Sequence, residues 1–116
     1  MENLLTIERF EDVEVVNLHF NELSLEQREV LKDDFLNAAA SGAKKFVVDF
    51  SKVGFLSSLV IATVIFFAKD VRNHGGDVKL CCFSKEAMNV VHITQLDRIF
   101  EIYDTGHDAI ESFKSS

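Results

Sequence analysis

Residues 45–58 read Lys45-Phe46-Val47-Val48-Asp49-Phe50-Ser51-Lys52-Val53-Gly54-Phe55-Leu56-Ser57-Ser58. The run from Phe46 to Phe50 is short, apolar and rich in β-branched residues, which is typical of a central strand covered on both faces. The segment from Ser58 to about Asn73 has the length of a helix, and Gly75-Gly76 marks its end. A buried strand that leads into a helix indicates an α/β fold.

Two strands and a helix are predicted upstream. Alternation around Leu5 and Ile7 predicts a half-buried first strand, and Val13 to Phe20 a second strand, so the pair is expected to form a hairpin. Ser24 is expected to begin the first helix, because its hydroxyl can accept from the first-turn N–H groups and Gln27 completes a capping box. The predicted buried stripe of this helix is Leu31, Phe35, Ala38 and Ala39.

The C-terminal half repeats the alternation of strand and helix. Val78 to Phe83 predicts a strand, Ser84 begins a helix that reaches about Thr94, Ile99 to Tyr103 predicts a last strand, and His107 to Phe113 a terminal helix. The fold class is therefore α/β. The expected architecture is one domain over residues 1–116, with a mixed sheet of four to five strands, an antiparallel edge hairpin and about four helices.

Composition and charge argue against some classes of function. The chain has 116 residues, 47% of them apolar, and a formal charge of −7. The acidic balance argues against a nucleic-acid partner. Met1-Glu2-Asn3 does not resemble the start of a secretion signal, and Leu59 to Ala68 is far shorter than the roughly 20 residues that span a bilayer. We therefore expect a cytoplasmic protein without direct membrane insertion.

Signals of catalysis are weak. The four histidines do not pair at metal-ligand spacing, and no Gly-rich phosphate loop is visible, so we expect neither an enzyme nor a cofactor or metal. Cys81 and Cys82 are adjacent in a predicted strand and should point to opposite faces, which makes a shared metal or a mutual disulfide unfavourable. They are interpreted as small buried side chains in a reducing compartment.

Ser57 and Ser58 lie at a strand-to-helix corner. The positive end of the helix dipole favours negative charge there, so a phosphate on either serine would be well placed to alter how a partner docks. The residues alone leave a second reading open, in which one of these serines is simply an N-cap.

Several segments together resemble the STAS domain family of anti-sigma factor antagonists. They are Lys45 to Leu56, Gly75-Gly76, Val78 to Phe83, Ile93 to Phe100, and Asn21 to Ser24, which stands where the family usually has Gly-Glu-Leu-Asp. The resemblance extends from about Leu5 to Phe113. It implies a non-catalytic module that docks onto a serine kinase anti-sigma factor and thereby releases a sigma factor.

The corner departs from the family pattern Asp-Ser-Ser/Thr-Gly-Leu. Ungapped alignment places Ser57 on the Asp, Ser58 on the first Ser, Leu59 on the usual phosphoacceptor and Val60 on the Gly. Leucine cannot be phosphorylated. The resemblance thus leaves two possibilities, that Ser58 or Ser57 serves as acceptor or that the protein docks without phosphorylation, and we favour the second.

The second helix also predicts docking. From Leu59 to Ala68 only Thr63 is polar, whereas a surface helix normally shows one wet face. The expected partner surface comprises Asn21, Glu22, Ser24, Ser57, Ser58, Leu59, Val60 and Thr63. This helix could also mediate a homodimer. The alternative functions are a subunit of an ABC lipid-transport system that binds the ATPase, and a scaffold or small-molecule-binding STAS module.

Overall fold

The fold was described from a computed structural model that covers residues 3–114. In this part of the chain, five strands alternate with four α-helices. The elements are β1 (Leu5–Phe10), β2 (Val13–Leu18), α1 (Leu25–Ala40), β3 (Lys45–Asp49), α2 (Ser58–Asn73), β4 (Asp77–Cys81), α3 (Lys85–Thr94), a 3-10 turn (Leu96–Arg98), β5 (Ile102–Tyr103) and α4 (Gly106–Lys114). The predicted α/β class and the bounds of α2 are confirmed.

The five strands form one mixed sheet in chain order, β1-β2-β3-β4-β5. β1 is antiparallel to β2, and the other neighbours are parallel, with Val16 beside Val48 and Val48 beside Leu80. Because parallel crossovers are right-handed, a sheet that grows in one direction places its crossover helices on one face. α1, α2 and α3 accordingly share one face, and α4 packs on the other.

The larger core lies between the sheet and helices α1 to α3. Aromatic rings tie these layers together: Phe67 of α2 lies 4.6 Å from Phe35 of α1 and 5.1 Å from Phe46 of β3, centroid to centroid. Each of these rings is almost fully buried. Such ring pairs contribute about 0.5–1.5 kcal/mol beyond their buried area, so β3 and α2 are held firmly behind the corner that joins them.

The other face of the sheet is only partly covered. A smaller cluster packs α4 against β2, β3 and β4 through Val13, Val15, Val47, Cys81, Ala109 and Phe113. α4 has nine residues. Between this helix and the hairpin lies an open groove of about 670 Å³, with Phe10, Asp49 and His107 among its lining residues.

Two details of the edges differ from expectation. Ile7 is 43% exposed, and most of β1 is exposed rather than half-buried, because β1 forms the edge of the sheet beyond the helices. The last strand is Ile102–Tyr103 and does not begin at Ile99. The 3-10 turn before it buries Phe100 and leaves Ile99 exposed.

The orientation predicted for the cysteines is wrong. β4 ends at Cys81, and Cys82 adopts a left-handed backbone conformation with φ of 68°. Strand alternation therefore stops between the two residues. Their sulfur atoms lie on the same side, 3.2 Å apart.

Candidate functional site

The loop from Asn21 to Ser24 and the corner that follows β3 form one continuous unit. The carbonyl oxygen of Asn21 accepts hydrogen bonds from the backbone N–H groups of Gly54, at 3.1 Å, and Phe55, at 3.0 Å. The side chain of Asn21 lies against Gly54, where a Cβ atom would overlap with Asn21 Oδ1. Glycine is thus needed at position 54 for this close approach.

Ser24 begins α1 through the predicted capping box. Its hydroxyl accepts from the Gln27 N–H at 3.2 Å, and the Gln27 side chain accepts from the Ser24 N–H at 3.0 Å. These two bonds satisfy donors that the helix start would otherwise leave unpaired. Ser24 and Glu22 are exposed, so both side chains are accessible to a partner in the conformation that the loop already has.

The structure separates the roles of the two corner serines. Ser57 is half-buried and caps α2, because its hydroxyl accepts from the Val60 N–H at 3.4 Å. Ser58 is the first residue of the helix and is exposed. Ser57 is therefore the serine that acts as the N-cap of α2. Of the two serines, Ser58 is the more accessible to a modifying enzyme.

Two residues of the expected partner surface lie in the core instead. Val60 is fully buried, and Thr63 is 7% exposed, with its hydroxyl donating to the Leu59 carbonyl at 2.7 Å. The i−4 carbonyl satisfies the threonine hydroxyl, so Thr63 fits an apolar environment. Leu59 is half-buried. Val60 and Thr63 are therefore removed from the candidate contact set, whereas Leu59 stays in it.

Exposed apolar side chains border the corner. Phe55 is 57% exposed, and Leu25, the first residue of α1, is 70% exposed. On α2, Phe66 is 48% exposed and lies 5.3 Å from Lys32 Nζ. The sequence analysis did not single out Phe55 or Leu25, although Phe55 stands between the buried residues Val53 and Leu56 and could have been assigned outward.

We define the corner surface as Asn21, Glu22, Ser24, Leu25, Phe55, Ser58 and Leu59. It combines a backbone joined by two hydrogen bonds, two exposed apolar side chains and an exposed hydroxyl at a helix N-terminus. An apolar patch with a polar rim is the usual composition of a protein-binding surface.

His19, which follows β2, is not part of the corner surface, and its imidazole ring contacts Lys52 and Thr6. His19 Nδ1 lies 3.1 Å from Lys52 Nζ, and Nε2 lies 2.6 Å from Thr6 Oγ1. An ammonium group only donates, so Nδ1 accepts from Lys52 and Nε2–H donates to Thr6. Both ring nitrogens of His19 are thus engaged with residues next to the end of β2.

Among residues 3–114, one group of three side chains has metal-ligand spacing: Asp49, Cys81 and Cys82. Burial raises the pKa of both thiols, to which the neighbouring thiol and Asp49 contribute in the case of Cys81. The group lies outside the corner surface.

Within residues 3–114, none of the helices has both the length and the apolar composition that crossing a membrane requires.

Comparison with known proteins gives consistent results. The model of the STAS domain family matches residues 6–109. A Thermotoga neapolitana protein named as an anti-sigma factor antagonist is 33% identical over 105 residues, which cover 87% of this chain and 89% of that protein. The crystal structure of a Thermotoga maritima protein named in the same way has a TM-score of 0.81 and 27% identity, and covers 93% of this chain and 92% of that one.

A third similarity concerns the fold alone. The Bacillus cell fate determinant SpoIIAA, in its phosphorylated form, has a TM-score of 0.70 and 20% identity. The match covers 94% of this chain and 98% of SpoIIAA. The sheet order and helix arrangement described above are thus those of an established group of structures.

Proposed function

The chain belongs to the STAS domain family, and on that premise we propose that it is a non-catalytic docking protein of the anti-sigma factor antagonist type. It binds a serine kinase anti-sigma factor through the corner surface, and the kinase then releases its sigma factor. The names of the Thermotoga relatives support this role.

The observation that carries the proposal is the pair of hydrogen bonds onto the Asn21 carbonyl. They join a loop between β2 and α1 to the loop between β3 and α2. A surface fixed by backbone bonds loses little conformational entropy when a partner binds, which favours affinity. The exposed Phe55 ring and Leu25 side chain then supply the apolar contact area at its centre.

Docking in this protein does not require phosphorylation. The resemblance to the family pattern aligns Leu59, which has no hydroxyl, with the usual phosphoacceptor. Ser57 is engaged as a helix cap. Ser58 retains an exposed hydroxyl at the helix N-terminus, where a phosphate would be electrostatically favoured. If a phosphate is added, we expect it on Ser58 and expect it to weaken an already competent complex.

Most of the apolar residues between Leu59 and Ala68 are buried or half-buried, so few of them are free to form a homodimer through α2. The described part of the helix exposes Ala62 and Phe66, one turn apart, on its apolar solvent side. A homodimer through this helix would therefore depend on Phe66. Substitution of Phe66 by Glu followed by sedimentation analysis tests it, and an unchanged dimer fraction would exclude this mode.

Affinity purification from the native cells tests the main proposal. The bait is the tagged full chain, compared with Phe55→Glu and Phe10→Glu. Both phenylalanines are exposed, so neither charge has to enter the core. Phe10 pairs with Val13 at the opposite end of β2 from the Asn21 loop, which makes Phe10→Glu a matched control.

We expect wild type and Phe10→Glu to recover a serine kinase and Phe55→Glu to lose it, while mass spectrometry finds Ser58 unmodified in the bound fraction. Recovery of a transporter ATPase instead would assign the chain to lipid transport. Equal recovery by Phe55→Glu and wild type would remove the corner surface as the binding site.

A further inference from the structure

Three side chains of types that can ligate a metal ion lie together beneath the face of the sheet that carries α4. The donor atoms of Asp49, Cys81 and Cys82 all lie within 4.8 Å of one another, and the two sulfur atoms are 3.2 Å apart. Asp49 is the last residue of β3 and pairs in register with Cys81 at the end of β4. The Cys82 thiol donates to the Cys81 sulfur.

The convergence depends on the backbone of Cys82. In a continued strand its side chain would point away from that of Cys81, but the φ of 68° turns it back. This left-handed conformation is costly for a residue with a Cβ atom and is uncommon outside Gly, Asn and Asp. The backbone N–H of Cys82 donates to the Tyr103 carbonyl at 3.1 Å, which fixes the turn against β5.

We propose that Asp49, Cys81 and Cys82 bind one thiophilic divalent cation of the zinc class. Two thiolates and a carboxylate are donors that Zn²⁺ accepts, with bonds of about 2.3 Å to sulfur and about 2.0–2.2 Å to oxygen. Binding therefore displaces the proton of each thiol to solvent. Ligands of one such ion lie less than roughly twice that bond length apart. Two such zinc–sulfur bonds at a tetrahedral angle place the sulfurs about 3.8 Å apart. The two thiols, which lie 3.2 Å apart, would therefore separate slightly around the ion, while the carboxylate oxygen, within 4.8 Å of both sulfurs, moves inward.

A metal fits this pair better than a mutual disulfide does. Consecutive Cα atoms are about 3.8 Å apart across a trans peptide, whereas disulfide-linked residues usually have Cα atoms at least about 4.4 Å apart. A bond between Cys81 and Cys82 would therefore be strained. A cation instead lets both sulfurs keep a separation longer than a covalent bond and adds Asp49 as a third ligand.

A fourth coordination position would face the open groove. Asp49 lines that groove together with Gly106 and His107, while Cys81 is fully buried and Cys82 is half-buried. Hence a cation enters from the groove and keeps a water or exogenous ligand on that side, as zinc sites with three protein ligands do. The site shares no residue with the corner surface, and its two cysteines pack in the cluster beneath α4, so its test does not depend on the proposed docking function.

Metal titration of the reduced, chelator-treated full chain tests the site. The probes are Cd²⁺, which shows a thiolate-to-metal absorption band in the ultraviolet, and Zn²⁺ in competition with it. We compare wild type with Cys82→Gly and Asp49→Asn. Glycine is compatible with the positive φ at position 82, and asparagine keeps an oxygen for the Ser51 N–H, which Asp49 Oδ1 accepts at 2.8 Å.

We expect one Cd²⁺ per chain in wild type, displaced by Zn²⁺. Even residues that only support a metal ligand change affinity by about 10- to 100-fold when mutated, so Cys82→Gly should weaken binding by more than about 100-fold. Asp49→Asn should weaken it by at least about tenfold.

Two results would overturn the proposal. One is equal Cd²⁺ affinity of wild type and Cys82→Gly, with both proteins folded by circular dichroism. The other is unaltered binding in Asp49→Asn, which would remove the carboxylate from the ligand set and with it the assigned site.

Discussion

Gly54 lies so close to the side chain of Asn21 that a Cβ atom on Gly54 would overlap with Asn21 Oδ1 and lie 3.1 Å from Asn21 Cγ. The contact joins two loops that are distant in the chain. It acts together with the backbone bonds onto the Asn21 carbonyl.

Substitution Gly54→Ala should displace the Asn21 side chain and reduce partner affinity with little loss of stability, because the overlapping atom is the end of an exposed side chain. We expect the free energy of unfolding to fall by less than about 1 kcal/mol. Denaturant unfolding measures it. The double variant Gly54→Ala/Asn21→Ala should recover the stability cost, whereas strictly additive effects would show that the two residues do not interact.

Leu59→Glu places a carboxylate at a half-buried position beside the core. We expect loss of partner binding and a decrease of about 1–3 kcal/mol in the free energy of unfolding, because the charge is partly desolvated. Leu59→Met conserves apolar character and approximate volume, so it should keep both properties. Calorimetric titration with the purified partner gives the affinity, and retained affinity in folded Leu59→Glu would contradict the proposed surface.

Two substitutions of Ser24 test whether its side chain stabilises α1 as an N-cap. Ser24→Ala removes the acceptor for the Gln27 N–H and should cost about 0.5–2 kcal/mol of stability. Ser24→Asp should keep the stability, because Asp is an equally good N-cap. Thermal unfolding distinguishes the two variants; if Ser24→Asp is as unstable as Ser24→Ala, the capping box does not stabilise α1.

The corner serines should respond differently to alanine substitution. Ser57→Ala removes the cap of α2, and because its 3.4 Å bond to Val60 N is long, the loss should fall near the lower end of about 0.5–2 kcal/mol. Ser58→Ala should change the stability by no more than about 0.5 kcal/mol, since the residue is exposed. A larger effect for Ser58 than for Ser57 in urea unfolding would reverse the assignment.

Gly76 and Gly106 form a matched pair for testing backbone packing. A Cβ on Gly76 would overlap with the Lys44 carbonyl oxygen and lie 2.8 Å from Val71 Cγ1, whereas one on Gly106 meets nothing within 4 Å. Gly76→Ala should therefore destabilise the protein by about 1–3 kcal/mol. Gly106→Ala, at the start of α4, should be neutral or stabilise it by up to about 1 kcal/mol. Equal melting temperatures for the two variants would refute the difference.

Much of the fold follows from local signals in the sequence. The capping box of Ser24 and Gln27, the bounds of α2 and the hairpin were predicted, because each depends on residues that are close in the chain. Burial around α2 was less predictable. Val60 and Thr63 belong to an apolar run without a polar face, so periodicity did not identify which side of the helix meets the sheet.

The candidate sites depend on features that the sequence does not encode locally. Asn21 and Gly54 come into contact because β2 and β3 pair side by side. The residues around each of them in the sequence do not predict this contact. The left-handed conformation of Cys82 is unusual for cysteine and reverses the direction expected from strand alternation. Both features arise from tertiary packing that overrides local preference.

The order of the strands also has a consequence for synthesis on the ribosome. Each strand pairs with the one that precedes it in the chain, so a nascent chain can extend the sheet as every new strand emerges, without waiting for a distant segment. Each parallel pair is joined by one crossover that contains a helix, such as residues 19–44 between β2 and β3, so every pairing needs only the segment made just before it. Because β3 and α2 enclose the aromatic rings Phe46 and Phe67, we expect protection from proteolysis to appear in stalled chains soon after α2 has left the exit tunnel, before α4 is made.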